Sequence, residues 1–148
     1  MDNYRNIIIN KLFNNQIENI NPIYRLKSND IIRLSLYLSS DPFCDSKCCK
    51  WTGTISISSC QTKYINFWFN KKKQALHRVL YINYIKDLPK NKYLKFICPD
   101  PNMKGICCNI NHMVLINSEQ ITEQHITTTI NPINNSQQNN IFIIVFEE

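Results

Sequence analysis

Three cysteines and one histidine, spread through the middle of the chain, constrain its fold more than any other feature. Cys48 comes first, Cys98 follows much later, and Cys107 and His112 lie close together. Three thiolates and one imidazole form a closed tetrahedral shell around Zn²⁺, which stabilises a fold and leaves no open position for chemistry. The short spacing between Cys107 and His112 allows both side chains to reach one ion from a tight loop. The order therefore predicts a structural zinc site that fastens an early segment to a later loop.

The remaining cysteines have a simpler interpretation. Free cysteine is among the most often buried residue types, so Cys44, Cys49, Cys60 and Cys108 are expected to be small apolar side chains of the interior. Cys49 and Cys108 stay open as substitutes for the zinc ligands next to them. The odd total of 7 cysteines and their grouping with a histidine favour metal binding over disulfides in a reducing compartment.

Length and charge limit the class of protein. At 148 residues the chain is most simply one domain with extensions. Its opening residues lack a basic segment followed by an apolar run, and its apolar stretches are too short to cross a bilayer. These features predict a soluble, intracellular protein without a membrane partner. The formal net charge is +6, with many of the lysines in the middle third, and a local basic surface favours a polyanionic partner.

Hydrophobic periodicity predicts an α+β fold. In the first forty residues, a helix carries Tyr4, Ile7, Ile8 and Leu12 on one face, and a second helix runs from Asp30 to Leu38 with Asn29 or Asp30 as its N-cap. The later predicted elements are a hairpin of Trp51 to Ile57 with Tyr64 to Phe69, a helix from Lys73 to Ile85, strands from Tyr93 to Ile97 and Met113 to Ile116, and a last helix from Asn117 or Ser118 to about His125.

The organisation along the chain follows from these elements. Residues 1–42 are interpreted as a helical N-terminal extension, residues 43–125 as the zinc-binding domain, residues 126–140 as a polar linker and residues 141–148 as a tail. The tail contains the β-forming run Ile141 to Phe146, which would invite aggregation if it were exposed. It is therefore expected to dock as a strand, either on its own domain or on a partner chain.

Three short motifs lie between residue 48 and about residue 120. Residues 48–53 read Cys-Cys-Lys-Trp-Thr-Gly, residues 75–81 read Ala-Leu-His-Arg-Val-Leu-Tyr, and residues 107–113 read Cys-Cys-Asn-Ile-Asn-His-Met. Together they resemble the zinc-binding loop domain of His-Me finger (HNH-type) homing endonucleases. That family has a cysteine–tryptophan–glycine opening, a His-Arg-Leu helix with a tyrosine, and a final run in which proline and leucine stand where this chain has Ile110 and Met113.

The resemblance implies a zinc-stabilised ββα core, preceded by a β-hairpin and a helix, with zinc held by Cys48, Cys98, Cys107 and His112. In these nucleases the residue two positions before the second zinc cysteine is the histidine that deprotonates the attacking water. Here that residue is Phe96, which cannot accept a proton.

Two further positions bear on catalysis. The asparagine that ligates the catalytic divalent ion in the family corresponds to Gln120, which has the same amide on a longer arm. His77, the remaining candidate base, matches a motif position expected to be structural or to contact the substrate. The resemblance therefore implies a nuclease scaffold that has lost hydrolysis and has no catalytic residues, and Mg²⁺ would be needed only if the protein were active.

A nucleic-acid surface is expected on the paired strands, which lie against the duplex in active relatives. The three aromatic residues at positions 67–69 cannot all face the core on one strand, so one of them is expected to stack or to meet another protein. The expected phosphate contacts are Lys63, Lys71, Lys72, Lys73 and Arg78.

The resulting hypothesis is a zinc-binding, catalytically inactive homing-endonuclease-like protein that binds nucleic acid, with DNA favoured, or a nucleoprotein assembly. Two alternatives stay open. One is an active Mg²⁺-dependent DNA endonuclease, and the other is a structural subunit of a larger, for example viral, assembly without DNA binding. The resemblance also implies a homodimer that exchanges its C-terminal tails.

Overall fold

Helices and short antiparallel strands alternate along the described part of the chain, which is residues 2–117 and 143–144 of the computed structural model. The helices are α1 (Asp2–Asn14), α2 (Ser28–Ser35) and α3 (Leu76–Tyr84). The strands are β1 (Ser56–Ile57), β2 (Lys63–Tyr64), β3 (Asn66–Phe69), β4 (Lys72–Ala75), β5 (Lys92–Phe96), β6 (Met113–Asn117) and β7 (Ile143–Ile144). Two 3₁₀ turns, Pro101–Met103 and Ile110–His112, lie between β5 and β6. This mixture confirms the predicted α+β class.

Several predictions concern residues beyond this part of the chain. The last helix expected after Asn117, the Gln120 position and the linker at residues 126–140 lie outside the described residues. Within the described residues, no helix has the length and apolar character that crossing a membrane requires.

β5 is the central strand of a three-stranded antiparallel sheet with the order β6-β5-β7. Phe96 of β5 lies opposite Met113 of β6, so the two strands meet where the predicted zinc loop begins and ends. On the other edge, Leu94 and Lys95 pair with the two described residues of the tail. The tail therefore docks as a strand on its own chain at residues 143–144, and an exchange of tails between two chains stays a prediction.

The two N-terminal helices pack against each other and against the core through one apolar side each. Ile8 and Leu12 of α1 and Ile31 and Leu34 of α2 are all buried. These pairs are spaced three or four residues apart, so each pair forms one side of its helix. Burial of such a side is what makes a helix of eight or thirteen residues stable in a protein.

Two predictions about these helices are wrong in detail. Tyr4 and Ile7 are 51% and 45% exposed, because the buried side of α1 is narrower than the sequence pattern indicates. α2 begins at Ser28, before the predicted start, and ends earlier than predicted. The carboxylate of Asp30 accepts a hydrogen bond of 3.0 Å from the backbone N–H of Lys27, so Asp30 closes the first turn from inside the helix rather than capping it from outside.

The segment from residue 51 to residue 75 also differs from the prediction. β1 and β2 form a hairpin around residues 58–61 as expected, but each strand has only two residues, and Trp51 lies outside it in a bridge with Leu38. β3 pairs forward with β4, whose residues were expected to begin a helix. α3 begins at Leu76 instead.

The turn between β3 and β4 explains this second error. Asn70 and Lys71 adopt φ values of 50° and 62°, the left-handed geometry of a two-residue hairpin turn. Such turns are usually marked by Asn-Gly, because glycine takes a positive φ without strain. Because lysine rather than glycine occupies the second position, the sequence does not indicate this turn.

A buried asparagine on α3 attaches the N-terminal segment to the core. Asn83 is 0% exposed, and its Oδ1 accepts hydrogen bonds of 2.9 Å from the backbone N–H of Leu26 and from Nε2 of Gln16. Its Nδ2 donates to the carbonyls of Tyr24 and Val79, both over 2.8 Å. All four hydrogen-bonding positions of the amide are therefore used, which fixes the chain before α2 against α3.

Candidate metal centre and basic hairpin

The four predicted zinc ligands converge on one point, and we call them the Cys3His cluster. The ligand atoms of Cys48, Cys98, Cys107 and His112 all lie within 4.8 Å of one another. Nδ1 of His112 lies 3.5 Å from Sγ of Cys48 and 3.6 Å from Sγ of Cys107. A tetrahedral ion with bonds of about 2.3 Å to sulfur and about 2.0 Å to nitrogen separates those atoms by about 3.5 Å. The cluster therefore has the donors and the spacing to hold one metal ion.

Backbone pairing brings Cys48 to this point from far along the chain. Residues 49–52, which we call the ligand strip, lie between two other segments. Hydrogen bonds of 2.6 and 2.9 Å join the strip to residues 106–108, and bonds of 3.0 and 2.8 Å join it to residues 37–39. Because the strip is held on both edges, the cysteine before it is placed beside the later loop.

The β5–β6 pair supplies two more ligands. Cys98 follows β5 and His112 precedes β6, and the backbone N–H of Ile97 donates to the carbonyl of His112 over 3.0 Å. In an antiparallel pair, the end of one strand lies beside the start of the other. Two ligands that are distant in sequence are thereby fixed at one end of the sheet.

Asn109 holds the loops of the cluster together, and the sequence analysis missed it. It is 0% exposed, and its Nδ2 donates to the carbonyls of Cys44 and Lys47 over 2.5 and 2.6 Å. Its Oδ1 accepts from the backbone N–H of Asn111 over 2.8 Å, and its own backbone N–H donates to Sγ of Cys107 over 3.4 Å. The only sequence signal for this role is its position between a cysteine and a histidine ligand.

Contacts inside the cluster favour a thiolate on Cys107. A hydrogen bond from the Cys98 thiol lowers the pKa of Cys107, and the backbone N–H of Asn109 acts in the same direction. The same contact, together with burial, raises the pKa of Cys98, and burial raises the pKa of Cys48. The thiolate is the form of cysteine that binds a metal, so the contacts that lower the pKa of Cys107 also favour coordination.

The neighbouring cysteines point away from the cluster. Sγ of Cys49 donates to the carbonyl of Ser40 over 3.1 Å, and burial raises the pKa of Cys49 to about 11. Sγ of Cys108 donates to a nearby backbone carbonyl over 3.9 Å. Both are buried, as expected, and neither geometry suits a substitute ligand. The expectation that Cys44 and Cys60 are buried is wrong, because both lie in surface loops, half-buried and exposed respectively.

Two of the positions considered for catalysis, Phe96 and His77, are closed to solvent. Phe96 is 2% exposed and packs edge-on against His77, with ring centroids 4.7 Å apart. His77 is 1% exposed, its Nε2 donates to the carbonyl of Cys107 over 2.7 Å, and burial lowers the pKa of His77 to about 4. A neutral imidazole that is bonded to the ligand loop supports the structural interpretation of His77.

The expected phosphate-binding lysines lie on and beside the β3–β4 hairpin, which we call the basic hairpin (residues 66–75). Lys63, Lys71, Lys72 and Lys73 are exposed. Arg78 is half-buried on α3, and its Nη2 donates to the carbonyl of Leu88 over 2.8 Å, so part of this guanidinium has a structural role. The assignment of all five residues to phosphate contacts stays a prediction.

The lysine-rich middle third of the sequence also lacks acidic residues on both sides of the basic hairpin. The chain has no acidic residue between Asp45 and Asp87. The same stretch has eight basic residues, which are Lys47, Lys50, Lys63, Lys71, Lys72, Lys73, Arg78 and Lys86. A surface formed by the residues between Asp45 and Asp87 therefore has few ion pairs among its own residues, and its positive charge is little neutralised.

Comparison with known proteins finds a viral relative. Over 109 residues, which are 72% of this chain, the sequence is 40% identical to the uncharacterized protein R328 of Acanthamoeba polyphaga mimivirus. The match covers 31% of that protein, so the chain spans about a third of the relative's length. No protein-family model matches the chain, and no solved structure matches it at a significant level. The resemblance to homing endonucleases therefore has no support from these comparisons.

We expect the purified protein to bind one metal ion per chain, and the Cys107→Ser variant to lose it, because a serine hydroxyl is a much poorer ligand than a thiolate. Elemental analysis after dialysis measures the metal content. The matched control is Cys60→Ser, which removes an exposed cysteine outside the cluster and should keep full occupancy. Equal metal content in the Cys107→Ser variant and the unmodified protein would contradict the ligand assignment.

We expect Asn109→Ala to weaken metal binding by about tenfold or more, because it frees the loop that carries Cys48. Competition with a chromophoric chelator measures the affinity. Asn111→Ala is the control, since its exposed amide makes only longer bonds of 3.2 and 3.3 Å to the same loop. A loss in the control that matches the loss in Asn109→Ala would show that the buried amide has no special role.

Proposed function

We propose that this protein is a zinc-stabilised, catalytically inactive domain that binds nucleic acid, with DNA as the favoured partner. The observation that carries the proposal is an exposed basic hairpin, in a stretch without acidic residues, on a core that contains the Cys3His cluster. Three thiolates and one imidazole at tetrahedral spacing favour Zn²⁺ over harder ions. With four protein ligands, the metal supports the fold and leaves no position for a substrate.

The buried side chains support the absence of catalysis. At the position where the resembled nucleases have their base, Phe96 fills an apolar site and has no proton acceptor. His77 has its Nε2 committed to a backbone carbonyl, and it is enclosed by the core. A general base has to reach water or substrate, so neither residue suits the task.

The construction of the basic hairpin supports nucleic-acid binding. β3 and β4 pair over four residues each, and Phe67 and Phe69 anchor the hairpin in the core, with 5% and 3% exposure. The lysines of the turn and of β4 are thereby presented on a fixed strand pair rather than on a loose loop. Fixed cations at strand spacing suit the regular phosphates of a nucleic acid.

The viral relative supports a role in a virus–host system, inside an infected cell. A structural subunit of a viral assembly is the competing function, and it requires no affinity for nucleic acid. A homodimer with exchanged tails remains part of the proposal for the full chain.

We expect the Lys71→Gln/Lys73→Gln variant to bind duplex DNA more weakly, because two phosphate contacts are removed. The slope of log affinity against log salt should fall by about two, since each contact contributes about 0.9. Fluorescence anisotropy over a salt series measures both quantities. Arg5→Gln/Lys90→Gln is the control, which removes the same charge from exposed positions outside the basic stretch and should keep most of the slope. Equal slopes in both variants would contradict a hairpin interface.

We expect no cleavage of plasmid DNA by the metal-loaded protein with added Mg²⁺, because no exposed base is available at either candidate position. Agarose electrophoresis of supercoiled plasmid measures nicking. Cleavage that disappears in the His77→Ala variant, but not in Tyr4→Ala, would support the active-endonuclease alternative instead.

A further inference from the structure

The outer face of the basic hairpin carries a tryptophan that phosphate binding alone does not use. Trp68 is 57% exposed, whereas the residues on either side of it are buried. Its partner across the strand pair is Lys73, so both side chains lie on the same outer face. A single exposed apolar side chain is ordinary, but an indole opposite a lysine on a fixed strand pair has a specific geometry.

Hydrogen bonds hold the backbone around this indole in place. Nη2 of Arg33 donates to the carbonyl of Trp68 over 2.6 Å, and the same guanidinium lies 4.7 Å from the ring centroid of Phe67. At the turn, Nδ2 of Asn70 donates to the carbonyl of Ile23 over 3.2 Å. The strand is therefore positioned before any partner arrives, which lowers the entropic cost of binding.

We infer that the outer face of the basic hairpin binds single-stranded nucleic acid, with an unpaired base stacked on Trp68 and the flanking phosphates on Lys71 and Lys73. The inference rests on the proposed function and specifies its partner. A base inside a duplex is covered on both faces by its neighbours, whereas an unpaired base has a free face for an indole. An aromatic platform in a basic track is the arrangement by which proteins bind single strands with little sequence preference.

Charge favours this partner over a protein. The stretch between Asp45 and Asp87 has no acidic residue, and the charged residues of the hairpin itself are lysines, with Lys73 opposite the indole and Lys71 and Lys72 following it in the chain. A nucleic acid supplies a planar base and a phosphate at each step, and so matches both features at once. A protein surface would have to supply carboxylates and a planar apolar group at the same spacing.

The test compares three ligands of equal length: a labelled single strand, its duplex, and a strand with abasic sites. Anisotropy at fixed salt should show that the metal-loaded protein binds the single strand most tightly. Trp68→Ala should weaken binding to the single strand by about tenfold or more, because stacking on a base is lost. Its affinity for the duplex and the abasic strand should change by less than about twofold, since the phosphate contacts remain. Trp68→Phe should retain most of the single-strand affinity.

Tryptophan fluorescence gives a direct second readout. The single strand should quench the emission of Trp68 but not that of Trp51, which is 4% exposed. The quenching should therefore be absent in the Trp68→Phe variant. Tyr4→Ala, which removes another exposed aromatic side chain, should bind all three ligands as the unmodified protein does.

The outcomes separate the inference from the function on which it rests. Binding of none of the three ligands would overturn both. If the single strand, the abasic strand and the duplex bind with equal affinity, and Trp68→Ala changes none of these affinities, only the stacking inference is overturned. Trp68 would then be available for contact with a protein. Loss of duplex and single-strand binding to the same extent in Trp68→Ala would also overturn it, because stacking on unpaired bases predicts a selective loss.

Discussion

The pairing of the ligand strip with residues 106–108 is the contact on which the candidate metal site depends. It places Cys48 beside Cys107, although the two residues lie far apart in the sequence. The pairing consists of isolated bridges rather than a ladder of strands. Such short pairing is weak alone. Coordination of one ion by ligands on both sides would stabilise this pairing, because the free energy of metal binding would then also favour the closed arrangement of the loops.

The sequence predicted the cluster well and the basic hairpin poorly, and the reasons are physical. Thiolates and imidazoles are rare, chemically distinct ligands, and their order, together with the resemblance to a zinc-binding loop, indicated these four. The β3–β4 turn, in contrast, depends on a left-handed conformation of Asn70 and Lys71, which these residue types do not predict. Pairing of β5 with β6 was accessible, since both strands are apolar runs that flank the ligand loop.

Two buried amides show another limit of sequence reasoning. Asn83 and Asn109 are both 0% exposed, and each bonds to backbone groups of segments that are distant in sequence. A buried amide is stable only if these partners are present. Their identity follows from the three-dimensional arrangement, and so a sequence in which asparagine is common everywhere gives no reason to select these two positions.

The closed interior bears on what this scaffold is able to do. Phe96 lies inside the core against His77, so a histidine at position 96 would meet apolar walls rather than water. Burial would disfavour its charged form, as it does for His77, and its ring nitrogens would need new hydrogen-bond partners. A histidine at position 96 would thus need an opened pocket before it reached water. On the exterior of the described part of the chain, the β3–β4 pair carries exposed lysines and an exposed indole.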